Sequence, residues 1–283
     1  MKKNTRLSII TINYNNRDGL RKTIESVVGQ TFCDFEYVII DGGSTDGSVE
    51  VIKEYADRID YWVSERDKGI YNAMNKGAFA AHGEYLLFLN SGDALCEKNV
   101  LTDVFTHSFN ADVVCGNIIN DRGGSMEAPE EVTMEYFLLG CLPHPSSFIK
   151  RSLFDIHPYD ERFKIAGDWE FFMYHLIVEN VTYQHINVNV TLFDTTGISC
   201  STNKDQHDAE LRKEAIARIL PPRVAEDFSV FMGKRDGYHR LFYTLSKSRM
   251  RKLVYLVCVL MIKILMLNRG WIRDYQIIET KES

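Results

Sequence analysis

Short apolar runs alternate with helical patterns through the first 115 residues of this 283-residue chain, and few folds accommodate such alternation. The predicted strands are 7–12 (LSIITI), 36–41 (EYVIID), 84–89 (EYLLFL) and 111–116 (ADVVCG). Helical spacing predicts helices that include 20–28, 70–81 and 100–105, and GSTDGSVEVIKEYA starts a further helix. Strand–helix alternation predicts an α/β fold, a mostly parallel sheet with helices on both faces.

Three aspartates fall where such a sheet binds ligands, which is outside the carboxyl ends of its strands. Asp41 ends a predicted strand, Asp93 follows another, and Asp67 lies in the loop SERDKG. Taken singly, two of them have a plainer interpretation: Asp41 suits an ordinary strand-to-helix turn, and Asp93 suits a turn-forming aspartate. Their common placement at one edge indicates a binding site.

Composition excludes several classes of protein. A formal net charge of −6 and a pI near 5.8 argue against nucleic-acid binding, which needs a basic face. The chain has neither G-x-G-x-x-G nor the P-loop signature. The apolar run 7–12 is too short for a signal peptide. Six scattered cysteines without a C-x-x-C pair are interpreted as free thiols in a reducing compartment.

The pattern changes after residue 120. Residues 120–205 are less regular, with two prolines around His144 and a helical stripe in AGDWEFFMYHLIVE that has Asp168 in its first turn. From 206 onward the chain is helical in pattern and increasingly basic. We therefore expect one domain over 1–205, which carries the three aspartates and Asp168, and a helical C-terminal region over 206–283.

The order of several motifs resembles the inverting family-2 glycosyltransferases of the GT-A fold. SIITINYNN, QTFCDFEYVIIDGGSTDGS and SERDKGIYNAMNKGAFAAHGEYLLFLNSGD match in sequence over roughly residues 5 to 115, and LPHPSSFIKRSLF and AGDWEFF match more weakly. The resemblance implies a GT-A-type, Rossmann-like nucleotide-binding sheet flanked by helices, with a C-terminal helical extension. It divides the catalytic domain into a nucleotide-sugar-binding half, 1–115, and an acceptor half, 116–205.

The resemblance also implies roles for the edge acids. The acid matching Asp41 holds the nucleotide base, and the acid matching Asp67 helps to place the ribose and diphosphate. The family's D-x-D segment matches Ser91-Gly92-Asp93, so that Asp93 would ligate Mg²⁺ or Mn²⁺. Ser91 replaces the first acid of that motif. One carboxylate with two phosphate oxygens could still hold the cation.

Asp168 matches the family's general base, which takes a proton from the acceptor hydroxyl. Without that match, a helix-capping aspartate would be the simpler interpretation. Glu170 competes for the role, but two helical residues turn a side chain by about 200°, so both acids cannot face the site. His144 could contact the acceptor or the diphosphate, or be a packed histidine. His207, after TTGIS, could meet a phosphate.

Residues 250–268 are flanked by basic residues, and ten consecutive apolar residues run from Leu253 to Ile262. This run is shorter than the roughly 18 to 20 residues needed to span a bilayer. It predicts either a helix on an anionic membrane surface or one in a homo-oligomer interface or against the catalytic domain. The first alternative suggests a cytoplasmic enzyme, peripheral at the inner face of the cell membrane.

The sequence thus predicts transfer of a sugar from a nucleotide-diphosphate donor to a glycan or lipid-linked acceptor. A sugar-phosphate nucleotidyltransferase would open with a Gly-rich, basic stretch, which TINYNNRDGL does not resemble. A degenerate nucleotide-sugar-binding or scaffold protein is the other alternative, favoured by Ser91. The presence of Asp41, Asp67 and Asp168 argues against it.

Overall fold

A computed structural model describes residues 5–197 and 206–230. The strands are β1 Leu7–Asn13, β2 Phe35–Asp41, β3 Tyr61–Ser64, β4 Tyr85–Phe88, β5 Ala94–Leu95, β6 Val113–Asn120, β7 Ser125–Met126, β8 Ser147–Lys150 and β9 Tyr183–Phe193. The helices include α1 Arg17–Val28, α2 Ser48–Glu54, α3 Ile70–Ala80, α4 Val100–Val104, α5 Met134–Leu139, α6 Leu153–Ile156, α7 Gly167–Met173 and α8 Gln206–Ile219. Tyr174–Val178 extends α7 as a π-helix.

The strands form one mixed sheet in the order β3-β2-β1-β4-β8-β6-β9-β5, with β7 on β6. The first four strands are parallel, as the sequence predicts. Their register sets Asn13 opposite Asp41, and Asp41 opposite Ser64, so that three strands end together. The edge formed by these strand ends carries the predicted ligand-binding residues.

In the second half of the sheet β6 and β9 are parallel, but other pairings depart from the expected parallel arrangement. β8 is antiparallel to both β4 and β6, and β5 is antiparallel to β9. None of β3, β8 and β9 was expected from the sequence. β5 begins directly after Asp93, and β9 ends directly before Asp194. Their pairing therefore brings Asp194 to the carboxyl edge beside Asp93.

The core lies on both faces of the parallel strands. β1, β2 and β4 are almost wholly buried, and their apolar residues pack against α1, α2 and α4 on one side of the sheet. α3 packs on β1 and β2, where Gly77 lies against Ile10 and leaves no room for a side chain. Because these strands are buried on both faces, they appear in the sequence as continuous apolar runs.

The chain divides into two compact units, 1–225 and 226–283. The predicted division into a catalytic domain, 1–205, and a C-terminal region, 206–283, stays a prediction. Within the described residues, no helix is both long and apolar enough to cross a bilayer. The stretch 250–268, with its predicted membrane or oligomer contact, lies outside them. The four cysteines in the described part of the chain are free thiols.

Candidate active site

Asp41, at the end of β2, is fully buried and is the centre of a hydrogen-bond cluster. Ser44 donates to it through its main-chain N–H (2.9 Å) and its hydroxyl (2.6 Å), Ser64 through its hydroxyl (2.6 Å), and Asn13 through its amide (2.8 Å). Burial alone would raise the pKa of Asp41, but the hydrogen bonds outweigh it and lower that pKa. Asp41 is therefore an ionised, rigid anchor for the ends of three strands.

Tyr14 follows β1 and is the exposed aromatic residue beside this cluster. Its side chain is 69% exposed, and its ring edge lies near Gly42, where an added Cβ would be 3.2 Å from Tyr14 Cδ2. A large exposed aromatic face beside buried polar groups suits a planar ligand. The sequence interpretation missed Tyr14, although its place between the strand and Asn15 could have indicated it.

Asp67 lies in the loop between β3 and α3, and its side chain is 10% exposed. Lys76 of α3 donates to Asp67 Oδ1 at 2.6 Å and to Glu65 at 2.7 Å. Asp67 Oδ2 faces Gly42, because a Cβ added to that glycine would be 3.2 Å from it. Asp67 and the Asp41 turn therefore meet at one side of the edge, as predicted from their sequence positions.

The segment Asn90 to Asp93 is fixed mainly from α1. Thr23 Oγ1 accepts the Gly92 N–H (3.0 Å) and lies 2.6 Å from the carbonyl oxygen of Asp93. Lys22 donates to the Gly92 carbonyl at 2.7 Å. Ser91 lies at the end of β1 through its N–H bond to Ile12, and its hydroxyl is 3.5 Å from the Asn16 amide.

Asp93 is only 5% exposed and has an acidic neighbour that the sequence interpretation did not identify. The main-chain N–H of Asp194 donates to Asp93 Oδ1 at 2.8 Å. A Cβ on Gly92 would be 2.5 Å from Asp194 Oδ2, so both acids border the same glycine. Burial, and then the charge of Asp194, raise the pKa of Asp93 to about 7, against the opposing effects of that N–H bond and of Lys22.

The residues around Gly92 fit a hard divalent cation. Carboxylate oxygens are the ligands that Mg²⁺ and Mn²⁺ prefer, and two carboxylates, of Asp93 and Asp194, lie beside Gly92. The Oδ1 atom of Asn90 is buried and has no donor. Among the described residues, no group of three or more metal-ligating side chains is found. Two carboxylates suit Mg²⁺, which takes its remaining ligands from phosphates and water.

Asp168 lies in the first turn of α7, half-buried, and is reached by Tyr71 of α3. The Tyr71 hydroxyl donates to the carbonyl of Ile165 (2.5 Å) and lies 3.2 Å from Asp168 Oδ1. Burial, and then the charge of Asp168, raise the pKa of Tyr71 well above its usual value, so this hydroxyl stays protonated. Because α3 starts directly after the loop that carries Asp67, it connects that loop to Asp168.

Glu170, the competing acid, faces elsewhere. It is completely buried, and both of its oxygens lie 3.0 Å from His157 Nε2, while Arg218 of α8 donates to Oε1 at 2.9 Å. This arrangement agrees with the helical-turn argument that the two acids point in different directions. Glu170 joins α7 to α8.

His144 lies in the core below the edge, 7% exposed. Its Nε2 is 2.7 Å from the Tyr159 hydroxyl, and its ring stacks on Phe88 at 5.3 Å between ring centroids. Burial lowers the pKa of His144, although the charge of Asp168 opposes this effect. The placement favours the packed alternative, and a direct ligand contact stays a prediction. His207 is exposed in the first turn of α8, and its phosphate contact is likewise untested.

Two solved structures show the fold to which this chain is similar. S. aureus TarS 1–349 in complex with UDP-GlcNAc has a TM-score of 0.66 at 19% identity, over 88% of this chain and 77% of that one. The mannosyltransferase PcManGT from Pyrobaculum calidifontis, in complex with GDP-Man and Mn²⁺, has a TM-score of 0.58 at 13% identity, over 95% and 84%. The α/β fold of GT-A type, expected from the sequence, is confirmed.

Proteins of similar sequence identify the family of this chain more directly than the fold does. An uncharacterized glycosyltransferase of Mycobacterium tuberculosis is 34% identical over 225 residues, 73% of this chain and 82% of the relative. A PGL/p-HBAD biosynthesis glycosyltransferase of Mycobacterium bovis is 33% identical over 175 residues, 58% and 67%. Fold and relatives define a nucleotide-sugar-dependent glycosyltransferase. The profile of glycosyl transferase family 2 matches residues 8–166, and the chain belongs to this family.

Proposed function

We propose that this enzyme moves a sugar, with inversion, from a nucleotide-diphosphate donor to a hydroxyl of a glycan or lipid-linked acceptor in cell-surface glycan assembly. The observation that carries the proposal is the set of acids at the carboxyl edge: Asp41 ends β2, Asp93 lies in the loop between β4 and β5, and Asp194 lies beside Asp93. The names of the M. bovis relative and of the ligands bound to TarS and PcManGT support it.

The nucleotide would bind between the Asp41 cluster and the Asp67 loop. Asp41 holds the turn at residues 41–44 rigid, and Tyr14 presents an exposed ring on which a base can stack. All four hydrogen-bond donors to Asp41 come from the protein. An N–H group of the base would therefore share the carboxylate with one of these donors or replace it. Asp67, fixed by Lys76, would contact the ribose or diphosphate.

Asp93, with Asp194 beside it, would hold the divalent cation. A bound cation supplies positive charge that stabilises the departing nucleotide diphosphate. Thr23 and Lys22 fix the main chain of the Gly92–Asp93 loop, so that the carboxylate is held in place before the donor binds. Ser91 is then a tolerated replacement, because the second acid comes from the end of β9 instead.

Asp168 would act as the general base. It takes the proton of the acceptor hydroxyl while that oxygen attacks the anomeric carbon and the bond from this carbon to the diphosphate oxygen breaks. A single displacement of this kind inverts the anomeric centre. Tyr71 restricts the Asp168 carboxylate from the α3 side.

A first experiment separates this function from its alternative. The purified full chain is titrated calorimetrically with UDP, GDP and dTDP, each with Mn²⁺ and with a chelator. We expect Mn²⁺-dependent binding of one nucleotide. Absence of binding by a folded protein would contradict the donor site, and nucleotide binding without turnover would favour a non-catalytic nucleotide-sugar-binding protein, the alternative that Ser91 suggests.

Turnover tests the base. Hydrolysis of the matching nucleotide-sugar, in which water replaces the acceptor, is followed by release of the nucleoside diphosphate. Asp168→Asn should lower this rate on the order of 10²- to 10⁴-fold and leave nucleotide affinity nearly unchanged. Asp155→Asn is the matched control, because Asp155 is an exposed acid in the first turn of α6. An unchanged rate in Asp168→Asn would show that the base assignment is wrong.

A further inference from the structure

The carboxylate of Asp208, in the first turn of α8, is almost fully buried and receives three consecutive main-chain N–H groups. Lys164 donates to Oδ1 at 2.9 Å, and Ile165 and Ala166 donate to Oδ2 at 2.7 and 2.9 Å. Asp208 itself is 6% exposed. Hydrogen bonds to an ionised acceptor are about twice as strong as neutral ones.

These three residues form the segment that leads directly into Gly167 and Asp168. Ala166 is the N-cap residue of α7, and its side chain makes no capping hydrogen bond. Asp208 instead accepts the N–H groups of the three residues that precede Gly167, the first residue of α7. A carboxylate of α8 thus fixes the main chain that enters α7.

The same segment is held from its other side by α3. Tyr71 donates to the Ile165 carbonyl at 2.5 Å, so the N–H and the C=O of Ile165 both have partners from outside the segment. The Tyr71 ring also lies where a side chain at Gly167 would be, since a Cβ there would be 2.8 Å from it. Asp208 and Tyr71 together leave the main chain before Asp168 little freedom.

The rest of α8 reinforces this attachment. Arg212 stacks over the Trp169 ring at 4.8 Å, Arg218 donates to the buried Glu170, and Glu214 pairs with Arg162 at 2.7 Å. Those three contacts orient the helix α7 and the segment that leads into it. Asp208 acts at a different place, because it accepts the peptide N–H groups of residues 164–166, which lead into Gly167 and Asp168.

We propose that Asp208 is a positioning residue of the transfer reaction: it fixes the main chain of residues 164–166, and through it the carboxylate of Asp168. This inference rests on the proposed function, in which Asp168 is the base. It makes α8, expected from the sequence to belong to a separate C-terminal region, a part of the catalytic apparatus. A displacement of about 1 Å at a reacting group can cost on the order of 10²-fold in rate.

The test compares Asp208→Asn with Asp112→Asn. Asp112 is a matched control, because its carboxylate also bonds a main-chain N–H and a hydroxyl, both of Thr182, but at the start of β6. For each variant we measure the Kd for the nucleotide by calorimetry and the kcat and KM for hydrolysis of the nucleotide-sugar. We also measure amide hydrogen exchange. We expect Asp208→Asn to lower kcat about 10- to 100-fold, with Kd within about twofold and with exchange of amides 164–166 accelerated.

A merely structural role would give a different pattern. Asp208→Asn would then behave like Asp112→Asn, which should lose stability and keep the wild-type kcat at a temperature where both are folded. Asp208→Glu retains the charge and should recover part of kcat, which a packing role would not predict. If Asp208→Asn does not fold, Asp208→Glu carries the same comparison, with a smaller fall in kcat and an unchanged Kd.

Failure of this inference is distinguishable from failure of the proposed function. If Asp168→Asn is inactive but Asp208→Asn keeps the wild-type kcat while amides 164–166 lose protection, the positioning role is refuted and the base assignment stands. If Asp168→Asn turns over normally, both fail, because no base remains to be positioned. A parallel fall of kcat and nucleotide affinity in Asp208→Asn would also overturn the inference, since it would indicate general distortion.

Discussion

The main-chain N–H of Asp194 donates to the carboxylate of Asp93 at 2.8 Å, and so joins two residues that are 101 positions apart in the sequence. The bond exists because β5 and β9 pair as an antiparallel ribbon whose ends are adjacent to the two acids. Two carboxylates thus border Gly92, although the local motif Ser91-Gly92-Asp93 contains only one.

Gly92→Ala should destabilise the fold by more than the cost of placing an alanine in a left-handed backbone conformation. Gly92 has φ +108°, and an added Cβ would be 2.5 Å from Asp194 Oδ2, so strain and collision add. We expect a loss of roughly 2 to 4 kcal/mol in the free energy of unfolding. Gly123→Ala is the control, since Gly123 has φ +80° with nothing within 4 Å, and should cost about 1 kcal/mol. Equal losses in urea denaturation would contradict the close approach.

Asp93→Asn and Asp194→Asn should each weaken Mn²⁺-dependent nucleotide binding on the order of tenfold, measured by calorimetry with and without chelator. Asp194→Asn removes a carboxylate charge but keeps the main-chain N–H that bonds Asp93. The double variant should lose less binding free energy than the sum of the losses in the two single variants, because both acids bind one cation. Asp18→Asn, at a side chain 84% exposed on α1, should change nothing. Unaltered Mn²⁺ dependence in Asp194→Asn would restrict the site to Asp93.

Tyr14→Ala should lower nucleotide affinity by about 1 to 3 kcal/mol, the range found for loss of one aromatic stacking partner of a base. The exposed ring of Tyr14 stands at the carboxyl edge beside Gly42. Tyr61→Ala is the matched control, because Tyr61 is also exposed but begins β3 at the opposite edge. Equal Kd values for wild type and Tyr14→Ala would exclude stacking on this ring.

Acid stability should depend on Asp41. Its pKa in the folded chain is below the usual value, because hydrogen bonds from Ser44, Ser64 and Asn13 outweigh the effect of burial. The folded state therefore takes up this proton less readily than the unfolded chain. The stabilisation is complete above the unfolded pKa, about 3.9, and is lost as the pH falls through the lower folded value. The free-energy gap between wild type and Asp41→Asn, from urea unfolding, should shrink below about pH 4. A gap that stays constant down to pH 2.5 would refute this linkage.

The first half of the fold follows from local pattern. β1, β2 and β4 are apolar runs buried on both faces, and α1 and α3 have their apolar residues at helical spacing, so these elements were predicted nearly to their ends. β3 was missed because its four residues are half exposed and show little apolar periodicity. β9 was missed although Ile186, Val188 and Val190 alternate with polar residues. That period-two signal was available.

The site was predictable in part for the same reason. Asp41, Asp67 and Asp93 follow recognisable strands, and the edge rule for α/β sheets groups them. Asp194 could not be assigned, because its approach to Asp93 depends on a strand pairing between distant segments. Asp208 looked like any acid near a helix start, and only the folded chain shows which main-chain groups it bonds.

The pairing of β5 with β9 also has a consequence for synthesis of the chain on the ribosome. The four parallel strands β1 to β4 and α1 are complete by residue 88, yet the residue beside Asp93 is number 194. Contacts between such distant positions form late, after their loop-closure entropy has been overcome. A nascent chain halted before β9 would have a nucleotide-side sheet without the Asp194 carboxylate. Acquisition of the second acid therefore coincides with completion of the sheet, and premature fragments lack it.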